Sequence, residues 1–559
     1  MSSPVINALR RLGILAALLG IIGTLAGTPA VADSYTPIAG AGSTWAENAV
    51  DEWRRAVNQY GMRISYAGTG SSDGRRQFLS GTVDFAVSDI PFQTNPTDGS
   101  AAERPASGSY AYMPIVAGGT VFMYHLTVNG KRVTNLRLSG DVVTKIFTGV
   151  IKTWDDPVIK ADNPGLQLPH RTIVPVVRSD GSGSTAQFTM WMANQHKSLW
   201  NAYCARVGRS GSCGQTSYYP TVSGMIAQSG DLGVAGYVAQ NYGEGAIGYV
   251  NYSYAINARY PVAKVLNHAG YYTEPTPSNV AVSLLKAKIN TNKNSADYLT
   301  QQLNGVYNDT DKRNYPLSSY SYMILPLKVQ GTFTKEKGKT LGAFSYYFMC
   351  QGQQQAPKLG YSPLPINLVQ AGFDQIRRIP GVQAQNINIK NCNNPTFTAN
   401  GQNRLAQTAP YPAACDKKGA APCTTGTGGT KSSSSNNGGG TSGGSGGTGS
   451  GGATGSSGGT GGSAGGSSAT PSVDPDTGQT ISPDGTGSGG TASAGGTTAG
   501  GTVALAQPVA VATAHGWTAT QTLMLLAAVL VFGLLLLPSL VSRLVGSKSN
   551  GRPDDGSSR

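Results

Sequence analysis

From Thr424 to about Gly501 the chain is almost wholly Gly, Ser, Thr and Ala. Val473 and Ile481 are its large apolar residues, and it carries no aromatic. Such a segment cannot bury enough surface to offset its ordering entropy, so no folded body can run through it. It reads as a disordered linker over residues 424–505, and its ~80 residues would average about 50 Å end to end as a flexible coil. The 559-residue chain is therefore divided before any other feature is weighed.

The flanks of this tract read as export and anchoring signals. Arg10 and Arg11 precede an apolar stretch from Leu12 to about Ala26, and Ala30–Val31–Ala32 offers a small-x-small cleavage site. Residues 1–32 thus read as a signal peptide. Beyond the tract, Leu523–Val541 is an uncharged apolar run, long enough to cross a bilayer within a span of 519–542. Arg543, Lys548 and Arg552 follow it, which places the tail, 543–559, in the cytosol. The lipid bilayer is then a partner through this helix, and the body lies on the extracytoplasmic face of the cell membrane.

What remains, residues 33–423, is long for one domain and suits two lobes. All six cysteines fall in it, an even count in an exported segment, which argues for disulfides. Spacing favours Cys204–Cys213, Cys350–Cys392 and Cys415–Cys423. No CxxC is present, so zinc and thiol-redox readings are poor, and neither a metal nor a cofactor is expected. The net charge of +14 favours small anions or anionic surfaces. No dense basic stretch with interleaved aromatics accompanies it, which argues against nucleic acid.

Within this body one device recurs: an apolar run, a Gly/Ser/Thr loop, then a helix start. It appears at Ile38–Trp45, at Tyr66–Gly74 and at Val177–Thr185. A helix N-terminus presents unpaired N–H groups and a partial positive charge, and so receives anions. Glycine lets the backbone approach, and hydroxyls add donors. Arg63–Ala67 and Val83–Val87 read as strands. Helices are expected over Thr44–Asn58, with Trp45, Ala49, Trp53 and Val57 on one face, and over Ser72–Leu79. Strands alternating with helices make an α/β open sheet, whose ligands sit beyond the carboxyl ends of the strands. All three loops and Asp89 lie at such ends.

The order of these motifs also resembles a family. Gly40–Ala41–Gly42–Ser43–Thr44, Gly70–Ser71–Ser72, Val83–Asp89, Ile146–Gly149 with Trp154–Pro157, Arg178–Ser184 and Gly245–Val250 together resemble the phosphate-binding proteins of the ABC-type high-affinity phosphate uptake system (Pst). The resemblance covers Asp33–Gln385 and leaves a Cys-containing extension, 386–423, outside it. It implies a two-lobed type II periplasmic-binding-protein fold, inorganic phosphate in the cleft between the lobes, and an ABC-type permease in the membrane as partner. Carried over residue by residue, it assigns phosphate donors to Thr44 (also through its hydroxyl), Trp45, Ser71, Ser72, Ser182, Gly183 and Ser184. Arg178 would supply the positive charge, oriented by Asp180. Asp89 would accept the proton that phosphate carries and sulfate lacks. Trp45 and Ser184 stand where the family often has phenylalanine and threonine. Asp73 stands where it often has a small residue.

Catalysis is disfavoured. The five histidines (His125, His170, His196, His268 and His515) are scattered, and neither an HExxH motif nor a nucleophile elbow is present. The other reading is a membrane-tethered phosphate sensor or adhesin on the same fold. The aromatic-rich stretches Tyr315–Tyr322 and Phe344–Phe348 leave it open, although such spacing is more usual in cores.

Overall fold

The computed structural model describes residues 35–209, 213–389, 392–398 and 400–430, with the backbone of 472–473 and 480–481. The signal peptide at 1–32, the span at 519–542 and the tail at 543–559 lie outside the described residues, as does most of the 424–505 linker. Among the described residues no helix is long and apolar enough to cross a membrane.

Chain order begins with β1 (Ile38–Gly42), α1 (Glu47–Val57), β2 (Ile64–Ala67), α2 (Ser71–Leu79), β3 (Phe85–Ser88) and the long β4 (Tyr110–Tyr124). It continues with β5 (Val174–Arg178), α3 (Gly183–Gln195), β6 (Ile226–Gln228), α4 (Gly230–Ala239), β7 (Ala246–Asn251) and β8 (Ser318–Pro326). These strands form one curled sheet in the order β2-β1-β3-β8-β4-β7-β5-β6. β1 runs parallel to β2 and β3, and β5 parallel to β6 and β7, whereas β4 and β8 are antiparallel to their neighbours.

Among the described residues two large hydrophobic cores hang on this sheet, and β4 belongs to both. Tyr112, Met113 and Ile115–Ala117 sit in one core with α1, Phe85 and Phe344. Val121–Tyr124 sit in the other with Phe147, Phe188, Trp200 and Tyr249. Between them lie Gly118 and Gly119, where the strand leaves one lobe for the other. A Cβ on Gly119 would strike Pro275, so the crossing requires glycine. The apolar face expected for the first helix is in place: Trp45, Ala49, Trp53 and Val57 are all buried. Tyr315, Tyr320, Tyr322, Phe344 and Phe348 are core residues as well.

All three expected disulfides are present: Cys204–Cys213, Cys350–Cys392 and Cys415–Cys423. The second closes the end of the first lobe, and the third lies on the second lobe. The buried Arg137 guanidinium donates to the carbonyls of Cys415 (2.7 Å) and Ala420 (2.6 Å). The packing does not stop at Cys423. Residues 424–430, read from sequence as the start of the linker, lie against the second lobe, with Thr427 only 1% exposed. The Thr427 hydroxyl, which donates to the Val262 and Thr134 carbonyls and is invisible to a composition argument, holds them there. In a separate unit, 442–559, the described backbone pairs Ser472–Val473 antiparallel with Thr480–Ile481.

Candidate anion-binding site

Four strands, β1, β2, β3 and β5, end at the same place, and each hands the chain to a loop carrying small or polar residues. From the first lobe come Ser43–Thr44–Trp45 after β1, Ser71 after β2 and Asp89 after β3. From the second come Arg178 at the end of β5, Asp180, and Ser182–Gly183–Ser184 at the start of α3. The lobes are closed on each other. Thr44 Oγ1 donates to Asp231 Oδ2 at 2.6 Å, Ser72 N–H to the Gly181 carbonyl at 2.9 Å, and Gln187 Nε2 to the Asp89 carbonyl at 2.8 Å. Further out, Thr216 Oγ1 donates to Asp98 at 2.6 Å.

Asp89 is 2% exposed. Its carboxylate accepts from Ser43 Oγ at 2.8 and 2.9 Å, from Ser71 Oγ at 3.3 Å, and from the Ser321 hydroxyl on β8. Burial pushes its carboxyl above the usual range, against the donation from Ser321 and Ser43. A carboxylate under these conditions suits a partner that brings a proton of its own.

Arg178 is 3% exposed and is held on three sides. Nε donates to Asp180 Oδ1 at 2.7 Å, while Nη2 reaches Asp180 Oδ2. Nη1 donates to Ser184 Oγ at 3.1 Å and to Asp231. This fork fixes the guanidinium plane. Burial opposes the Arg178 charge, but Asp231 and Asp180 outweigh it and keep the group protonated. Burial also raises the Asp231 carboxyl against the pull of Arg178.

The helix starts supply the remaining donors. Among the described residues, the N–H groups of Thr44, Trp45, Ser71, Gly183 and Ser184 make no hydrogen bond to a protein acceptor, as expected where a helix begins. Ser182 caps α3 by accepting from Thr185 N–H at 3.1 Å, and its hydroxyl pairs with Ser184 Oγ at 2.8 Å. Gly70, with φ +92°, leaves room for Asp180, with which a Cβ would collide.

The structure thus brings all ten expected residues to one cleft, with two differences in what they offer. The Thr44 hydroxyl is spent on Asp231 and leaves only its N–H. The Ser72 N–H is spent on Gly181, and its hydroxyl accepts from Arg75 at 3.3 Å, so Ser72 serves as a contact between lobes. The Trp45 side chain is engaged elsewhere, its indole Nε1 donating to Thr120 Oγ1 at 3.1 Å, so that only its backbone N–H is without a protein partner here. Asp73 is turned along its own helix toward Arg76 and Gln77. Sequence reasoning missed Ser43, Ser321 and Asp231. Asp231 had a signal, since Gln228–Ser229–Gly230–Asp231 repeats the strand–small-loop–helix device. Ser321, inside an aromatic-rich strand, had none. Among the described residues no cluster of His, Cys, Asp and Glu is arranged to hold a metal ion.

A family model described as a PBP superfamily domain matches residues 27–351. Curated relatives include the phosphate-binding protein PstS of Pasteurella multocida, 31% identical over 353 residues that cover 63% of this chain and 92% of that one. The phosphate-binding protein PstS of Methanocaldococcus jannaschii is 29% identical over 352 residues, 60% of this chain and 85% of its own. The phosphate-binding protein PstS 2 of Mycobacterium tuberculosis is 29% identical over 339 residues, 58% of this chain and 82% of its own.

Proposed function

We propose, from the premise that this chain belongs to the PBP superfamily and within it to the PstS phosphate-binding proteins, that it binds inorganic phosphate outside the cytoplasm and delivers it to an ABC-type permease. It acts as a binding protein and not as an enzyme. The observation that carries the reading is Asp89, a buried carboxylate that faces hydroxyl and backbone donors and is not tied to Arg178, as Asp180 and Asp231 are.

The inferred ligand set is the N–H groups of Thr44, Trp45, Ser71, Gly183 and Ser184, the one hydroxyl hydrogen that the Ser182–Ser184 pair leaves free, the remaining Arg178 hydrogen, and Asp89. Hydrogen phosphate would direct its P–OH at Asp89 and its bare oxygens at the donors. Sulfate has no proton, so one of its oxygens would face the carboxylate lone pairs. Sites that require a ligand hydroxyl reject analogues lacking it by roughly 10⁴-fold or more. Phosphate would meet one lobe in an open form and stabilise the closed one, which the permease would recognise.

The signal peptide at 1–32 and the span at 519–542 complete this reading, as export followed by tethering to the membrane. Removal of residues 519–559 is expected to release the protein from the membrane fraction into the medium. The central test is calorimetric titration of the ligand-stripped full-length chain with phosphate and then sulfate. Phosphate heat without sulfate heat is the expected result, and the absence of phosphate binding would overturn the proposal.

A further inference from the structure

Asp231, the second residue of α4, is 0% exposed and joins one group from each lobe. On its own lobe, Oδ2 takes the Arg178 Nη1 donor and Oδ1 accepts from Asn251 N–H at 2.7 Å. From the opposite lobe, Thr44 Oγ1 donates to Oδ2 at 2.6 Å, and the same hydroxyl accepts from the Asp231 backbone N–H at 3.1 Å. Thr44 and Arg178 are thus bridged by one carboxylate, and the Thr44 half of the bridge can form only when the lobes meet.

We infer that Asp231 is a positioning residue that couples lobe closure to the orientation of Arg178. This inference rests on the phosphate-binding reading of the same cleft. In the open form Asp231 holds Arg178 without a second tie. On closure the Thr44 hydroxyl docks on it and brings the Thr44 and Trp45 N–H groups, just ahead of α1, into line with the guanidinium. The contact adds nothing to the first encounter with the ligand, so its loss acts on release. Affinity differences within one interface are in any case mostly differences in dissociation rate.

The test uses the full-length chain and inorganic phosphate, with Asp231→Asn, Thr44→Val and the double variant followed by stopped flow. Each single variant is expected to release phosphate at least about tenfold faster, with association changed by no more than about threefold. The double variant is expected to release it no faster than the faster single one, because either change removes the same bridge. Melting temperatures without ligand should shift additively, since the bridge is absent from the open form. Release rates that multiply in the double variant, or that stay at the parent value in either single one, would overturn the inference. If Asp231→Asn does not fold, Thr44→Val with Thr44→Ser as the rescuing hydroxyl decides alone: fast release with Val and parent-like release with Ser support it, and any other pattern overturns it. A parent protein that binds no phosphate would fail the function reading first and this inference with it. A parent that binds while the variants match it fails this inference alone.

Discussion

Gly183, the first residue of α3, lies against the Asp89 carboxylate of the opposite lobe, so close that a Cβ at Gly183 would collide with Asp89 Oδ2 and with Ser71 Oγ. The two residues are contributed by different lobes, and their approach exists only in the closed cleft. Gly183→Ala is therefore expected to leave each lobe intact, and alanine even favours a helix by up to about 1 kcal/mol over glycine. Closure is what it obstructs. Phosphate affinity should fall by roughly a hundredfold or more, in keeping with about 3 kcal/mol for an overpacked contact. Titration calorimetry reads the loss, and the unliganded melting temperature should stay within a few degrees of the parent. A variant that binds like the parent would show that the closed arrangement is not the binding one.

Asp89→Asn tests selectivity instead of closure. The amide can keep the Ser43 and Ser321 hydroxyls as donors to its oxygen, but its NH₂ presents hydrogens where the carboxylate presented lone pairs. Phosphate should weaken, because its P–OH loses the acceptor, while sulfate gains a donor. The expected outcome is measurable sulfate binding and a phosphate preference reduced from about 10⁴ to within about 10². Continued exclusion of sulfate by the variant would assign the discrimination to other groups.

Much of this site was legible in sequence because its parts are local. Each loop follows its strand directly, so the residue types at β1, β2, β3 and β5 announce their own positions. Boundaries were less exact for a physical reason. The first helix begins at Glu47 and not at Thr44, because the Thr44 hydroxyl and carbonyl are engaged by Asp231 and by the Tyr254 hydroxyl (2.6 Å) from the other lobe. β3 begins at Phe85 and not at Val83, because Asp84 turns its side chain back to accept from Ala39 N–H at 2.8 Å. Ser321 could not be read as a partner of Asp89, since 232 residues separate them and only the sheet order unites them. The disulfides were legible from spacing, but the role of Arg137 in holding the Cys415–Cys423 loop was not.

Glu47 gives the fold a pH dependence. It stands in the first turn of α1, beside the Tyr254 hydroxyl at 3.4 Å. Burial, reinforced by Asp51 and Asp231, raises its carboxyl from its usual 4.5 to about 7. A folded-state value above the unfolded one means that the folded form binds the proton more tightly. Its stabilising share is complete below about pH 4.5 and is lost as the pH rises through about 7. Glu47→Gln mimics the protonated form and should flatten this part of the profile. Urea midpoints measured from acid to neutral pH should fall less steeply for the variant than for the parent, in which Asp89 and Asp231 act alongside Glu47. Parallel profiles would remove Glu47 from the account.

Residues 424–430 are anchored by one buried hydroxyl, and this makes Thr427 a sharp probe of where the folded body stops. Thr427 Oγ1 donates to the Val262 carbonyl at 2.6 Å and to the Thr134 carbonyl at 3.1 Å, and it accepts from Val262 N–H at 3.1 Å. Its own N–H donates to the Thr134 carbonyl at 3.0 Å, and Gly428 N–H reaches Glu274 at 2.8 Å. Thr427→Val keeps the shape and leaves the Val262 N–H buried without a partner, a cost of about 1–3 kcal/mol. If residues 424–430 are integral to the second lobe, the urea midpoint falls accordingly, and amide exchange quickens at Val262 and at Thr427. Phosphate affinity should hold near the parent value, because the hydrogen bonds of Thr427 go to Val262 and Thr134 and to none of the ligand set. An unchanged midpoint would mean that the body ends at Cys423 and that the leash begins there.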